Sequence, residues 1–60
     1  MRYFKYINFI YEVTDDLTKC HCIYDLKTKE HFKGYWCNTY PDVWKNLIEL
    51  TEQEVFIEML

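Results

Sequence analysis

The sequence predicts a small α+β domain, in which an antiparallel sheet packs on one helix and two copies of the chain form a dimer. The predicted sheet has two to three N-terminal strands and a C-terminal strand. Residues 2–14 and 19–27 alternate with the period of two that is typical of strands, whereas residues 43–50 repeat apolar side chains at helical spacing. A chain of 60 residues has room for a single domain, 1–60, so these elements are expected to share one fold.

The first predicted strand, 2–14, is apolar on both faces. Its odd positions form one face and its even positions the other: Ile7, Phe9, Tyr11 and Val13 against Phe4, Tyr6 and Ile10. A large apolar face is rarely left in water, so the helix or a second copy is expected to cover it. Together with residues of the last strand, this predicts the following dimer interface: Phe4, Tyr6, Ile10, Val55 and Ile57.

A turn and a second strand are expected next. Segment 14–16 has Thr and Asp side chains, which bond to their own backbone and favour chain reversal. Segment 19–27 then alternates, and the side chains predicted to share its inner face are Cys20, Cys22, Tyr24 and Leu26.

The polar run 27–30 predicts another turn, and 31–37 a third short strand. In that strand Phe32 and Trp36 are expected to face the core across Gly34. The three strands then form an antiparallel meander.

One helix is expected over 41–50. Pro41 suits the first helical turn, and Asp42 suits the positive end of the helix dipole. The apolar positions recur with helical spacing at Val43, Trp44, Leu47, Ile48 and Leu50.

Residues 51–60 fit two structures. Segment 51–54 has the pattern of a capping box, which would start a second helix. The alternation of Val55, Ile57 and Met59 instead fits an edge or interface strand, and the prediction favours the strand.

The charge distribution argues against nucleic-acid binding. The net charge is −3, and residues 38–60 contain one base, Lys45, against five acids: Asp42, Glu49, Glu52, Glu54 and Glu58. Binding to a phosphate backbone requires clustered Lys and Arg, so this part suits a basic protein partner. No apolar stretch approaches the roughly 20 residues of a membrane helix, and a cytoplasmic location is expected.

Cysteine and histidine raise the question of a metal site. Cys20, His21 and Cys22 are consecutive, and His31 and Cys37 follow. Zinc sites usually take ligands from a tight knuckle turn, which this spacing does not provide. The cysteines are therefore interpreted as core residues, no cofactor or metal is expected, and a metal-binding structural protein is kept as an alternative.

The residue types argue against an enzyme. With one glycine and no serine, the chain has neither a Gly-rich phosphate loop nor a Ser-His-Asp arrangement. A pair such as Cys22 and His31 has no evident cleft in a small open sheet. Function through protein binding is expected instead, at these candidate residues: Asp42, Trp44, Leu47, Ile48, Glu49 and Glu52. Trp44 also fits a plain role in the core.

Several segments resemble the short uracil-DNA glycosylase inhibitors of Bacillus phages. The matching segments are Tyr11-Glu12-Val13-Thr14, Asp15-Asp16, Glu30 with Lys33-Gly34, and Thr51-Glu52-Gln53-Glu54-Val55. The resemblance implies a homodimer that blocks the DNA-binding face of the glycosylase. Acidic groups of such an inhibitor imitate DNA, and paired helices trap an apolar side chain of the enzyme.

Carried over by position, the resemblance places the pocket aromatic on Trp44 and a second pocket residue on Ile48. The family's helix acid falls on Lys45, so Asp42 or Glu49 would have to replace it. A regulatory or antirepressor-type module directed at another host protein is the remaining alternative.

Overall fold

The computed structural model describes residues 1–36 and 42–60, and it shows an antiparallel α+β fold. The elements in chain order are β1 (Arg2–Tyr6), β2 (Phe9–Val13), β3 (Lys19–Asp25), β4 (Glu30–Trp36), α1 (Asp42–Lys45), β5 (Ile48–Leu50) and α2 (Glu52–Glu58). The five strands form one sheet in the order β4-β3-β2-β1-β5. The predicted α+β class with a small antiparallel sheet is confirmed, but three of the predicted elements differ from the structure.

The first difference is that segment 2–14 forms a hairpin and not one strand. Tyr6 pairs with Phe9, so Ile7 and Asn8 are the two residues of the turn. Ile7 has a φ of 55° and Asn8 does not have a positive φ, the pattern of a type II′ turn. Glycine is preferred at the first position of that turn, and an isoleucine there gives no sequence signal for it.

The predicted turn between β2 and β3 is confirmed. The Asp16 carboxylate accepts hydrogen bonds from the hydroxyls of Thr14 and Thr18, both at 2.7 Å, and from the Thr18 N–H at 3.1 Å. Leu17 adopts a φ of 63°, and its side chain is buried in the core. The polar loop thus also supplies a core residue.

Strands β3 and β4 form as predicted, but their side chains are distributed differently. Glu12 pairs with Cys22 whereas Val13 pairs with Cys20, so His21 is an extra residue on β3. Neighbouring residues of β2 point to opposite faces, and therefore the two cysteines do as well. The prediction that they share a face is wrong, as is the prediction that Phe32 faces the core, since Phe32 is exposed.

The second difference concerns the helix predicted over 41–50. Helix α1 ends at Lys45, and 48–50 form β5, which pairs with the outer edge of β1. Considered locally, the apolar side chains at 47, 48 and 50 fit a helix as well as a strand. Pairing with β1 satisfies backbone groups on its edge and brings Leu50 against Ile10 and Val55.

The third difference concerns residues 51–60, where a helix and not a strand follows β5. The Thr51 hydroxyl accepts the N–H of Glu54 at 3.1 Å, and the Glu54 carboxylate accepts the N–H of Thr51 at 2.9 Å. This capping box satisfies two backbone donors at the start of α2. The helix alternative is therefore the correct one.

Each face of the sheet has its own core. One face carries Phe4, Val13, Leu17, Cys20 and Trp44. The other carries Ile10, Leu50 and Val55, of which Val55 comes from α2. The expectation that both faces of the first segment are covered is met within a single chain.

Candidate protein-binding surfaces

Three carboxylates surround the β5 side of the sheet. Glu49 lies in β5, and Glu52 and Glu54 lie in the first turn of α2. They lie within six residues of one another because Thr51 begins α2 directly after β5 ends at Leu50. We call Glu49, Glu52 and Glu54 the acidic edge.

Arg2 is the base paired with the acidic edge. Its Nε and Nη2 each donate to a Glu49 oxygen at 2.9 Å. This hydrogen-bonded pair lowers the pKa of Glu49 and raises the pKa of Arg2. One guanidinium against three carboxylates leaves the acidic edge with a net negative charge.

Two exposed apolar side chains lie beside the acidic edge. Ile48 precedes Glu49 in β5, with its side chain on the opposite face of the strand, and is 67% exposed, while Phe56 is 68% exposed. Phe56 follows Glu52 by four residues and so lies on the same side of α2. An apolar anchor with a charged rim is the arrangement expected at a protein-binding hot spot.

A second exposed surface lies at the end of the sheet where β1 turns into β2. Its large apolar side chains, which we call the apolar end, are Tyr6, Ile7, Ile57, Met59 and Leu60. Between 41% and 81% of each of these residues is exposed. Only Tyr6 and Ile57 of this set are among the side chains predicted to contact a second copy.

Contacts between β1, α2 and the neighbouring turns connect the parts of the apolar end. Next to Tyr6 and Ile57, Lys5 Nζ lies 2.9 Å from Glu58 Oε1, which ties β1 to α2. The carbonyl of Asn8 accepts the N–H of Leu26 at 2.7 Å. Leu26 and Met59 in turn line one cavity of about 150 Å³. The β1–β2 turn and the end of α2 therefore belong to one side of the molecule.

The structure places only some of the predicted partner-binding residues on one surface. Ile48, Glu49 and Glu52 are exposed, on or beside the acidic edge, while Leu47 is half-buried against the Trp44 core. The side chain of Asp42 lies outside the described residues. Phe56 was missed because its segment was predicted to be a strand.

Trp44 is a core residue in the single chain. It is 3% exposed, and its ring centroid lies 5.6 Å from that of Phe4 and 5.5 Å from that of Tyr11. Its Nε1 has no hydrogen-bond acceptor among the described residues. The core interpretation of Trp44 fits this geometry, and its role in partner binding stays a prediction.

Some of the predicted dimer residues are buried within the single chain, and others are exposed. Phe4, Ile10 and Val55 are buried within one chain, so they have almost no surface left for a second copy. Tyr6 and Ile57 remain exposed. Val55 and Ile57 lie on opposite sides of a helix, in contrast to the predicted strand, where they would share a face.

The Cys and His side chains do not converge in the described part of the chain. Cys20 and Cys22 lie on opposite faces, and no group of three potential metal ligands occurs among residues 1–36 and 42–60. His21 Nδ1 lies 2.7 Å from Glu12 Oε1. Cys37 lies outside the described residues.

Tyr24 has a strongly raised pKa. Burial, together with a hydrogen bond to the Cys22 side chain and nearby acidic groups, raises the pKa of Tyr24 to about 12. Tyr24 is thus neutral at physiological pH and lies beside the His31 ring, with a centroid distance of 6.2 Å. A tyrosine that resists ionisation is suited to packing and hydrogen bonding and is a poor general base.

Comparisons of the chain with protein-family models, curated proteins and solved structures found no match. In the described part of the chain, no helix is long and apolar enough to cross a membrane. The acidic edge and the apolar end are therefore the features that point to a function.

Proposed function

We propose that this protein is a non-catalytic inhibitor that covers a basic surface of a nucleic-acid enzyme with its acidic edge. The observation that carries the proposal is that two exposed apolar side chains, Ile48 and Phe56, lie in the consecutive elements β5 and α2, which also carry three carboxylates. Following the sequence resemblance, the enzyme is uracil-DNA glycosylase, and the inhibitor imitates DNA.

Each half of this surface has its own task in the proposal. Carboxylates attract the basic face of an enzyme that binds DNA, and this raises the rate of encounter at low salt. Burial of Phe56 and Ile48 then slows release. The net charge of −3 opposes direct binding to DNA or RNA, so the partner is a protein.

Self-association and location complete the proposal. The inhibitor acts as a homodimer in the cytoplasm of the cell that contains the glycosylase. The small size of the chain supports self-association, because a domain of 60 residues buries little core by itself.

The test is inhibition of purified uracil-DNA glycosylase by an equimolar amount of the protein. The double variant Glu49→Gln with Glu52→Gln should slow association and weaken its dependence on salt. Phe56→Ala should speed dissociation about tenfold or more, as expected for a hot-spot side chain. Lys33→Gln, which removes an exposed charge on the far edge strand β4, is the control and should change neither rate.

A glycosylase that stays fully active overturns the identification of the partner. Capture from bacterial lysate with wild-type protein and with the double variant then separates the remaining possibilities. A protein captured only by the wild type through the acidic edge indicates a regulatory module of the antirepressor type. Equal capture by both proteins contradicts a role for the acidic edge.

A further inference from the structure

Ile7 combines two features that are rarely found together. It has a φ of 55°, a left-handed conformation that is a true outlier for a β-branched residue. It is also 66% exposed, so little packing within the chain offsets this strain. The two-residue turn between β1 and β2 requires this positive φ, and backbone strain held in place by the fold is often found at binding sites.

The surface around Ile7 has the size of a dimer contact. Tyr6, two residues after Phe4 in β1, faces the side of the sheet opposite α2, so the patch shared by the turn and α2 consists of Ile7, Ile57, Met59 and Leu60. If a fully exposed large side chain has about 200 Å² of surface, these four present on the order of 500 Å². The largest apolar patch on a typical monomer measures about 300–600 Å² and is often functional. With about 65% apolar area, as in homodimers, the contact would cover roughly 800 Å² per protomer, which is the standard interface size.

The charges near the apolar end and at the acidic edge indicate which kind of partner each surface suits. Around the apolar end Lys5 pairs with Glu58, and the neighbouring turn carries two acids and two bases: Asp25, Lys27, Lys29 and Glu30. Two identical copies therefore bring balanced charges together at this end. At the acidic edge, a two-fold contact would place carboxylates against carboxylates.

We propose that the apolar end is the contact surface for a second copy of this chain, with Ile7 in the contact. The inference locates the self-association that is part of the proposed function. It assigns the dimer to the β1–β2 turn and the end of α2, and it leaves the acidic edge of both copies open to a partner. The conformational strain at Ile7 is then offset by burial in the dimer.

The test is sedimentation equilibrium of the full chain from low to high micromolar concentration, with folding checked by circular dichroism. The wild type should dimerise in this range. Ile7→Gly should weaken the dimer at least tenfold, yet raise the melting temperature of the dilute monomer because glycine accepts a positive φ. Ile57→Ser, on the exposed side of α2, should also weaken the dimer at least tenfold.

Phe32→Ser is the matched control, because Phe32 is an exposed apolar residue on β4, distant in the sheet order from β1. It should leave the dimer constant unchanged. A wild type that stays monomeric at high micromolar concentration overturns the inference, as does a dimer unaffected by both Ile7→Gly and Ile57→Ser. The glycosylase is absent from this experiment, so its result is separate from the inhibition assay.

Discussion

Gly34 lies against the backbone of Cys20 so closely that a Cβ at position 34 would come within 1.8 Å of the Cys20 carbonyl oxygen. Real Cβ atoms do not approach closer than about 3.0 Å, and the obstacle is backbone and not a movable side chain. The extra residue His21 lies opposite Gly34, where β3 bulges. Glycine is therefore required by space at this point and not by a positive φ.

Gly34→Ala should lower the free energy of unfolding by about 3 kcal/mol or more, because β3 and β4 would have to separate. Urea denaturation measures the change. Lys33→Ala, at the neighbouring exposed position, is the control and should change stability by less than about 1 kcal/mol. Equal stability of the two variants would mean that the bulge relaxes at little cost.

The capping box at the start of α2 gives a second prediction. Thr51→Ala should lower the free energy of unfolding by about 1 kcal/mol, since the N–H of Glu54 loses its acceptor. Gln53→Ala, in the same turn but outside the box, should be neutral. Thermal denaturation compares the two, and a Thr51→Ala variant as stable as Gln53→Ala would contradict the role of the cap.

A third prediction concerns the stability of the fold at low pH. Hydrogen bonds from Thr18 and Thr14 lower the pKa of Asp16 below its ordinary value of 3.8. A carboxyl group whose pKa is lower in the folded than in the unfolded state stabilises the fold at pH values above its unfolded-state pKa. That stabilisation is lost as the pH falls through the folded-state pKa. The free energy of unfolding should therefore decline below about pH 4, and less steeply in Asp16→Asn.

A direct measurement of the same effect is the NMR titration of the Asp16 carboxyl. Thr18→Ala removes the hydroxyl donor and should raise the pKa of Asp16. Thr28→Ala, a threonine in a different turn, is the control. An Asp16 pKa unchanged by Thr18→Ala would contradict the assigned cause.

Elements with local signals were predictable. Strands β3 and β4 show alternation, and Asp16 lies in a loop with clear turn chemistry. The β1–β2 turn has no such signal, because Ile7 occupies a place where glycine is expected and aromatic and β-branched residues lie on both sides of it. Strand β5 depends on the free edge of β1, which no local window contains.

For the candidate surfaces too, local sequence patterns decided which residues were predicted. Ile48, Glu49 and Glu52 were predicted because acids lie close to apolar residues in this part of the sequence, and their role in binding stays a prediction. Phe56 was not among the candidates because the alternation at 55, 57 and 59 favoured a strand. Giving the capping box more weight would have placed Phe56 on the same side of a helix as Glu52.

The last prediction separates the two roles of Trp44. As a core residue beside Phe4 and Tyr11, it should be essential for stability, and Trp44→Ala should lower the free energy of unfolding by about 3–5 kcal/mol. Trp44→Phe keeps most of the packing and removes the Nε1 donor, which has no acceptor among the described residues. Its loss of stability should therefore stay below about 1.5 kcal/mol.

Binding measured on the folded Trp44→Phe variant then decides the role of the residue. If Trp44 acts only in the core, Trp44→Phe should inhibit the glycosylase as well as the wild type does, while Phe56→Ala should not. A folded Trp44→Phe variant with tenfold faster dissociation would instead place Trp44 in contact with the partner. That contact would require α1 to move away from the sheet, because the indole is 3% exposed in the structure.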